Sequence, residues 1–182
     1  MDKIYKVIEN VLYQLSGRNF DFYNTESVFN KMAETCSESF FYRKITDIGC
    51  GDGKNSLRIA KILKAKAIVG REISSRLVVA ANNRGLGTIK MEVGEKISGD
   101  LGILWGVVHH MTNPQKELKK LIKNFNCLLI REPSNKYRIF EAGKRFSRDE
   151  IDSIVNKAVE GSGKKIVKVE DKVGTSFLYY IK

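Results

Sequence analysis

The chain has 182 residues, 42% hydrophobic and 29% charged, and its 32 lysines and arginines outnumber its 21 aspartates and glutamates for a net charge of +11. That length supports one well-buried domain, and the composition argues against disorder. No apolar run reaches the length of a membrane span, and the opening MDKIYKVIENVLYQL mixes charged with apolar residues, unlike a secretory leader, so a cytoplasmic location is expected. Three cysteines, Cys36, Cys50 and Cys127, odd in number and without CxxC spacing, argue against a disulfide framework or a zinc site and read as buried thiols. The charge surplus permits a polyanionic partner such as RNA without establishing one.

In chain order, Ile4, Val7, Ile8, Val11, Leu12 and Leu15 form an apolar stripe at helical spacing. An aromatic link, Phe20, Phe22 and Tyr23, leads to a second helix across Val28, Phe29, Met32 and Ala33. A first strand is expected over 44–48, then a glycine turn, Asp47-Ile48-Gly49-Cys50-Gly51-Asp52-Gly53, then a helix to about Leu63. Strand two, 67–72, ends in Glu72. A helix through Leu77 to Ala81 follows, capped by Ser74 or Ser75 and stopped by Gly85 and Gly87. Strand three, 88–93, leads into Gly94-Glu95. Strand four, 100–107, is continuously apolar, as suits the centre of a parallel sheet, and runs into His109 and His110. Asn113 and Pro114 open the next helix as cap and first residue. Strand five, 127–130, is expected to end before Pro133. A basic, aromatic-bearing loop spans 134–146. Ser147 to Glu150 is a capping box for a helix through Ala158, and strands at 166–169 and 177–181 close the chain as an antiparallel hairpin.

The glycine turn carries most of the functional information. Three glycines between a strand and a helix start let the backbone turn tightly and a ligand approach closely, with unpaired helix N–H groups nearby. A dinucleotide fingerprint requires G-x-G-x-x-G, but Lys54 stands at its last glycine position and the third glycine is at 53. Asp47 and Asp52 would repel a pyrophosphate and attract an ammonium or sulfonium group. Glu72, 21 residues after Gly51, suits the hydroxyls of a ribose.

The pattern Asp-x-Gly-x-Gly-x-Gly at 47–53 resembles motif I of the class I S-adenosylmethionine-dependent methyltransferases, and the resemblance extends over about residues 43–182. It implies an α/β fold: a doubly wound, mainly parallel seven-stranded sheet of order 3-2-1-4-5-7-6, strand seven antiparallel, with helices on both faces. The domain expected is single, 1–182, with 1–42 as a helical lid and 43–182 as the Rossmann-like core. The resemblance implies S-adenosylmethionine as cofactor. Gly49, Gly51 and Gly53 would line its methionine part, Asp47 would orient the turn and the ammonium, Glu72 would take the ribose and Glu95 the adenine edge, with Cys50, Ile73 and Trp105 completing the cofactor wall.

Methyl transfer is an in-line displacement in which the cofactor brings carbon and leaving group and the protein supplies alignment and exclusion of water. His109 and His110, the only histidines, are candidate bases for an acceptor proton. After strand four the sequence reads Trp105-Gly106-Val107-Val108, without the Asn/Asp-Pro-Pro-aromatic motif of adenine N6 chemistry and without a Pro-Cys nucleophile for cytosine C5 chemistry. A small molecule and an RNA both remain as acceptors, and no membrane partner or metal is expected. The competing classes are a non-catalytic module or nucleic-acid-binding scaffold that keeps this fold, and a nicotinamide-dependent oxidoreductase.

Overall fold

The computed structural model describes residues 26–36, 44–92, 94–133, 146–170 and 176–182. The expected helix over 3–15, the aromatics Phe20, Phe22 and Tyr23, and nearly all of the 134–146 loop lie outside them.

Seven strands form one sheet in the order β3-β2-β1-β4-β5-β7-β6. They are β1 (Ile45–Ile48), β2 (Ile68–Glu72), β3 (Thr88–Lys90), β4 (Gly99–Trp105), β5 (Phe125–Pro133), β6 (Ile166–Glu170) and β7 (Ser176–Ile181). The pairs among β1 to β5 are parallel, and β7 runs antiparallel to both β5 and β6. The helices are α1 (Glu26–Cys36), α2 (Lys54–Ile62), α3 (Ser75–Asn83), α4 (Pro114–Asn124) and α5 (Arg148–Val159). Parallel neighbours need crossovers, and the helices that make them cover both faces.

Side chains alternate along each strand, so the sheet has two cores. On one face Ile45, Leu101, Ile103, Trp105, Leu129 and Tyr180 pack with Val28, Phe29, Met32 and Cys36 of α1 and Ile59 of α2. On the other, Ile48, Leu104, Leu128, Ile130 and Tyr179 pack with Leu118 and Ile122 of α4 and Ile151 and Val155 of α5. The Phe29 ring stacks on Trp105, centroids 5.0 Å apart, with the Arg58 guanidinium 3.9 Å from its centroid, so α1 is fastened to both the sheet and α2.

The caps follow the sequence closely. The Asn113 side chain accepts from the Lys116 N–H, with Pro114 at the first turn of α4. Ser147 and Glu150 form the reciprocal capping box of α5. Ser74 is the N-cap of α3, but its side chain makes no capping hydrogen bond.

Three strands end two or more residues from where the sequence places their ends. β3 stops at Lys90, and the Glu95 N–H closes a turn onto the Glu92 carbonyl around Gly94, whose φ is +86°. β4 stops at Trp105 because Gly106, φ +73°, turns the chain. β5 runs past Ile130 through Arg131, Glu132 and Pro133, which pair with Leu178, Phe177 and Ser176 of β7. Among the described residues no helix is long and apolar enough to cross a membrane.

Candidate active site

The glycine turn leaves the carboxyl end of β1, the central crossover point where strand order reverses and open α/β sheets bind ligands. Gly49, Gly51 and Gly53 have φ values of +73°, +57° and +80°, which ordinary residues rarely adopt. A Cβ on Gly49 would stand 2.8 Å from Val107 Cγ2, so the turn lies directly against the chain leaving β4. A Cβ on Gly53 would meet Leu86 at 3.0 Å and Ala81 at 3.2 Å, so the third glycine serves the packing of α2 on α3.

Asp47 is the most constrained group in the turn. It is 1% exposed, and its Oδ2 accepts from Ser56 Oγ of α2 at 2.6 Å. Its Oδ1 has no hydrogen-bond partner among the described residues. Burial pushes its pKa up to about 7; the Ser56 hydrogen bond opposes that shift and the Glu72 charge adds to it. A buried carboxylate oxygen with nothing to accept suits a cationic donor such as an ammonium group.

Glu72 sits at the end of β2. Its Oε2 accepts from the Gly51 N–H and its Oε1 from the Ser74 N–H, both at 2.9 Å. One carboxylate thereby ties the glycine turn to the start of α3 and keeps lone pairs for further donors. The same bond takes up a turn N–H that a dinucleotide phosphate would use, and two buried acids lie close by. Ile73, next in the chain, is 51% exposed and offers an apolar surface beside that carboxylate.

Four other residues singled out in the sequence have partners of their own. The Cys50 side chain turns under the sheet edge toward Thr88, Sγ to Oγ1 3.9 Å, so its contribution to a ligand would be through its backbone. Glu95 accepts from Arg71 Nη1 of β2 at 3.3 Å and, within its own loop, from the Glu92 N–H at 3.2 Å. Asp52 accepts from the Lys54 N–H and pairs with Arg84 at 2.9 Å, so it shapes the turn and faces α3. Trp105 has its ring contacts with Phe29 and, at 5.6 Å, with the Arg131 guanidinium.

Past β4, Val108–His110 form a single 3₁₀ turn. His109 is buried and its Nδ1 hydrogen-bonds Glu132 Oε1; His110 is exposed, its ring centroid 3.9 Å from that of His109. Glu132 is itself 1% exposed, and its Oε2 accepts from the Val108 N–H at 3.0 Å. With Glu132 ionised, Nδ1–H donates, which fixes the ring orientation and places the basic lone pair on Nε2. By sequence Arg131 and Glu132 simply follow strand five, and neither is a site candidate; in the structure Arg131 is a buried guanidinium whose Nε donates to Ser176 Oγ at 2.9 Å. Their signal was weak: a charged pair after an apolar strand looks like a loop.

No group of three or more His, Cys, Asp or Glu side chains among the described residues is arranged to hold a metal.

A doubly wound sheet of this order, closed by an antiparallel β7 and carrying a glycine turn at β1, is the fold of the class I S-adenosylmethionine-dependent methyltransferases. Solved structures agree. The methyltransferase domain of a bacterial CtHen1 is 17% identical, covering 86% of this chain and 98% of that one with a TM-score of 0.71. A SAM-dependent methyltransferase from Aquifex aeolicus is 19% identical, with coverages of 84% and 88% and a TM-score of 0.62. Human N-acetylserotonin methyltransferase, solved with SAM, is 12% identical, with coverages of 96% and 56% and a TM-score of 0.70. No family model and no curated relative matches the sequence.

Proposed function

We propose that this protein is an S-adenosylmethionine-dependent methyltransferase of one domain, with α1 as part of a lid over the site. The observation that carries this is the buried Oδ1 of Asp47, without a hydrogen-bond partner among the described residues, beneath a positive-φ glycine turn that Glu72 braces from β2. Asp47 would hold the ammonium of the cofactor, Gly49 and Gly51 would admit its methionine part, Glu72 would take the ribose hydroxyls, and Ile73 with Glu95 would flank the adenine. When bound, the cofactor supplies an electrophilic methyl group and a neutral thioether leaving group.

The chain's own residues then have two tasks. The turn and Val107 fix one reactant against the end of β4. The imidazole pair accepts the proton that a hydroxyl or amine acceptor loses on methylation: His110 is the exposed ring, and His109 is the ring held by Glu132. Acceptors of either class, small molecule or RNA, are compatible with that chemistry.

Titration calorimetry with S-adenosylmethionine tests the assignment. Wild-type protein is expected to bind, and Glu72→Ala to bind at least tenfold more weakly, because a pair of charge-assisted hydrogen bonds is worth roughly 1.5–3 kcal/mol each. Wild-type protein that binds no S-adenosylmethionine while binding a nicotinamide dinucleotide would overturn it.

A further inference from the structure

Helix α4 starts four residues after His110 and leads from the carboxyl end of β4 back to the start of its parallel neighbour β5. Its sequence, PQKELKKLIKN, sorts into two faces. Leu118 and Ile122 are buried and Leu121 half-buried against the α4/α5 core. Lys116, Lys119, Lys120 and Lys123 stand at i, i+3, i+4 and i+7, all exposed. At 3.6 residues per turn they share an arc of about 100° opposite the leucines and span about 10 Å along the axis. None of these four side chains has an ion pair or hydrogen bond among the described residues. The one acid on the helix, Glu117, lies off the stripe, and its Oε1 accepts from the Asn113 N–H. Beyond the helix end, Lys164 Nζ donates to the Phe125 and Asn126 carbonyls, adding a fifth cation.

Four like charges on neighbouring turns repel one another, and among the described residues no ion pair to these lysines offsets that cost. A polyanion laid along the helix would remove it. We propose that the lysine stripe of α4 is a docking track for the phosphate backbone of a single-stranded RNA, with the strand's methyl-accepting nucleotide at the histidine rim. This rests on the methyltransferase reading and chooses RNA between its two acceptor classes. Lysines presented at about one helical turn reach roughly three successive phosphates at the ~3.4 Å rise of a stacked strand. A membrane surface fits poorly, because the apolar residues of α4 are buried in the core and the exposed face carries no apolar side chain to insert. RNA fits better than DNA, because each ribose supplies a hydroxyl whose proton the imidazole pair can take.

The test is fluorescence anisotropy with a labelled random-sequence 20-nucleotide RNA over a range of salt concentrations. The stripe variant carries Lys→Gln at 116, 119, 120 and 123. A control of equal charge carries Lys→Gln at 61, 66, 90 and 182, four exposed lysines elsewhere. Each lost phosphate contact removes about 0.7 from the slope of log K against log salt for a single strand. The stripe variant is expected to lose about 2 units of slope and on the order of 10²-fold in affinity at 0.1 M salt, and the control under tenfold. Equal losses in both variants, no RNA binding by the wild type, tighter binding of the same strand as DNA, or a stripe-dependent loss confined to phosphatidylserine vesicles would each overturn the proposal. S-adenosylmethionine titrations on the same three proteins keep the two questions separate, since the cofactor assignment fails only if the wild type does not bind it.

Discussion

Asp47 supports the sharpest test, because substituting it moves fold stability and cofactor affinity in opposite directions. The carboxyl is buried, and its pKa is pushed up from 3.8 to about 7. A raised acid pKa makes the protonated form the one that folding favours. Its contribution to stability is therefore complete below pH 3.8, falls as pH rises toward 7, and is gone above that. At 1.36 kcal/mol per pH unit, holding the ionised form costs the ligand-free fold up to about 4 kcal/mol at pH 8. Asp47→Asn removes that cost and weakens a charge-assisted bond from Ser56 to a neutral one, a loss of about 1 kcal/mol. Urea unfolding should show the variant more stable than wild type by about 1–3 kcal/mol at pH 8, with the difference vanishing near pH 4.

Cofactor binding should respond the other way. An ammonium on Oδ1 favours the carboxylate, so binding at pH 7 is expected to release about half a proton, read from calorimetry in two buffers of different ionisation enthalpy. Wild-type affinity should rise about 25-fold between pH 5.5 and 7.5, following the ionised fraction of a group with a pKa of about 7. Asn cannot supply the charge, and affinity should fall roughly 10- to 150-fold, the equivalent of 1.5–3 kcal/mol. A variant that binds S-adenosylmethionine as tightly as wild type, with a pH-independent affinity in both, would refute the role given to Asp47.

Other expectations follow from the same geometry. Replacing His109 and His110 together with Gln should lower methyl transfer to the acceptor by about 10²–10⁴-fold at saturating cofactor; unchanged turnover in both single variants and the double would remove the histidines from the chemistry. Glu132→Gln should retain cofactor binding but lower kcat, and combined with His109→Gln should cost little more than the worse single change, because the two act as a unit. Gly70→Ala should destabilise by about 1–3 kcal/mol, read as a lower urea midpoint, since its Cβ would stand 2.6 Å from both Cys50 Sγ and Thr88 Oγ1. Cys50, with a thiol pushed up to about 12 mainly by burial and next by the Asp47 charge, and the buried Cys36 and Cys127 should resist a thiol reagent at pH 8 in native protein, with all three reacting in denaturant.

Features set by local pattern were legible in the sequence. The Asn113–Pro114 cap, the Ser147–Glu150 capping box and the glycine turn each depend on residues within a few positions of one another, and the structure has them as read. The Glu72 spacing was legible because a βαβ unit has a nearly fixed length. Its bond to the Gly51 N–H is the physical form of that spacing. What was missed depended on partners far along the chain. Arg131, Glu132 and Pro133 look like a polar exit from a strand, yet they stay in the sheet because β7 arrives 43 to 47 residues later to pair with them. Once they are paired, their charges are buried and must find partners: Ser176 for Arg131, and the Val108 N–H with His109 for Glu132.

The parity of the sheet gives that extension its meaning. Asp47 bonds Ser56 of α2, and Arg131 lies over Trp105, so both belong to the face covered by α1 and α2. Glu132 is one residue past Arg131 and points the other way, holding the Val108–His109 turn over the core of α4 and α5. In the proposed reaction the methyl donor and the acceptor's base would stand on different supports, the carboxyl ends of β1 and β4, which would hold the two reactants in line. Val107 stands between them, in contact with the position a Gly49 side chain would fill, so the first glycine and the imidazole pair meet across a single residue. Enlarging Gly49 would therefore displace Val107 and the histidine turn behind it, and an acceptor drawn along α4 would reach the same rim from the histidine side.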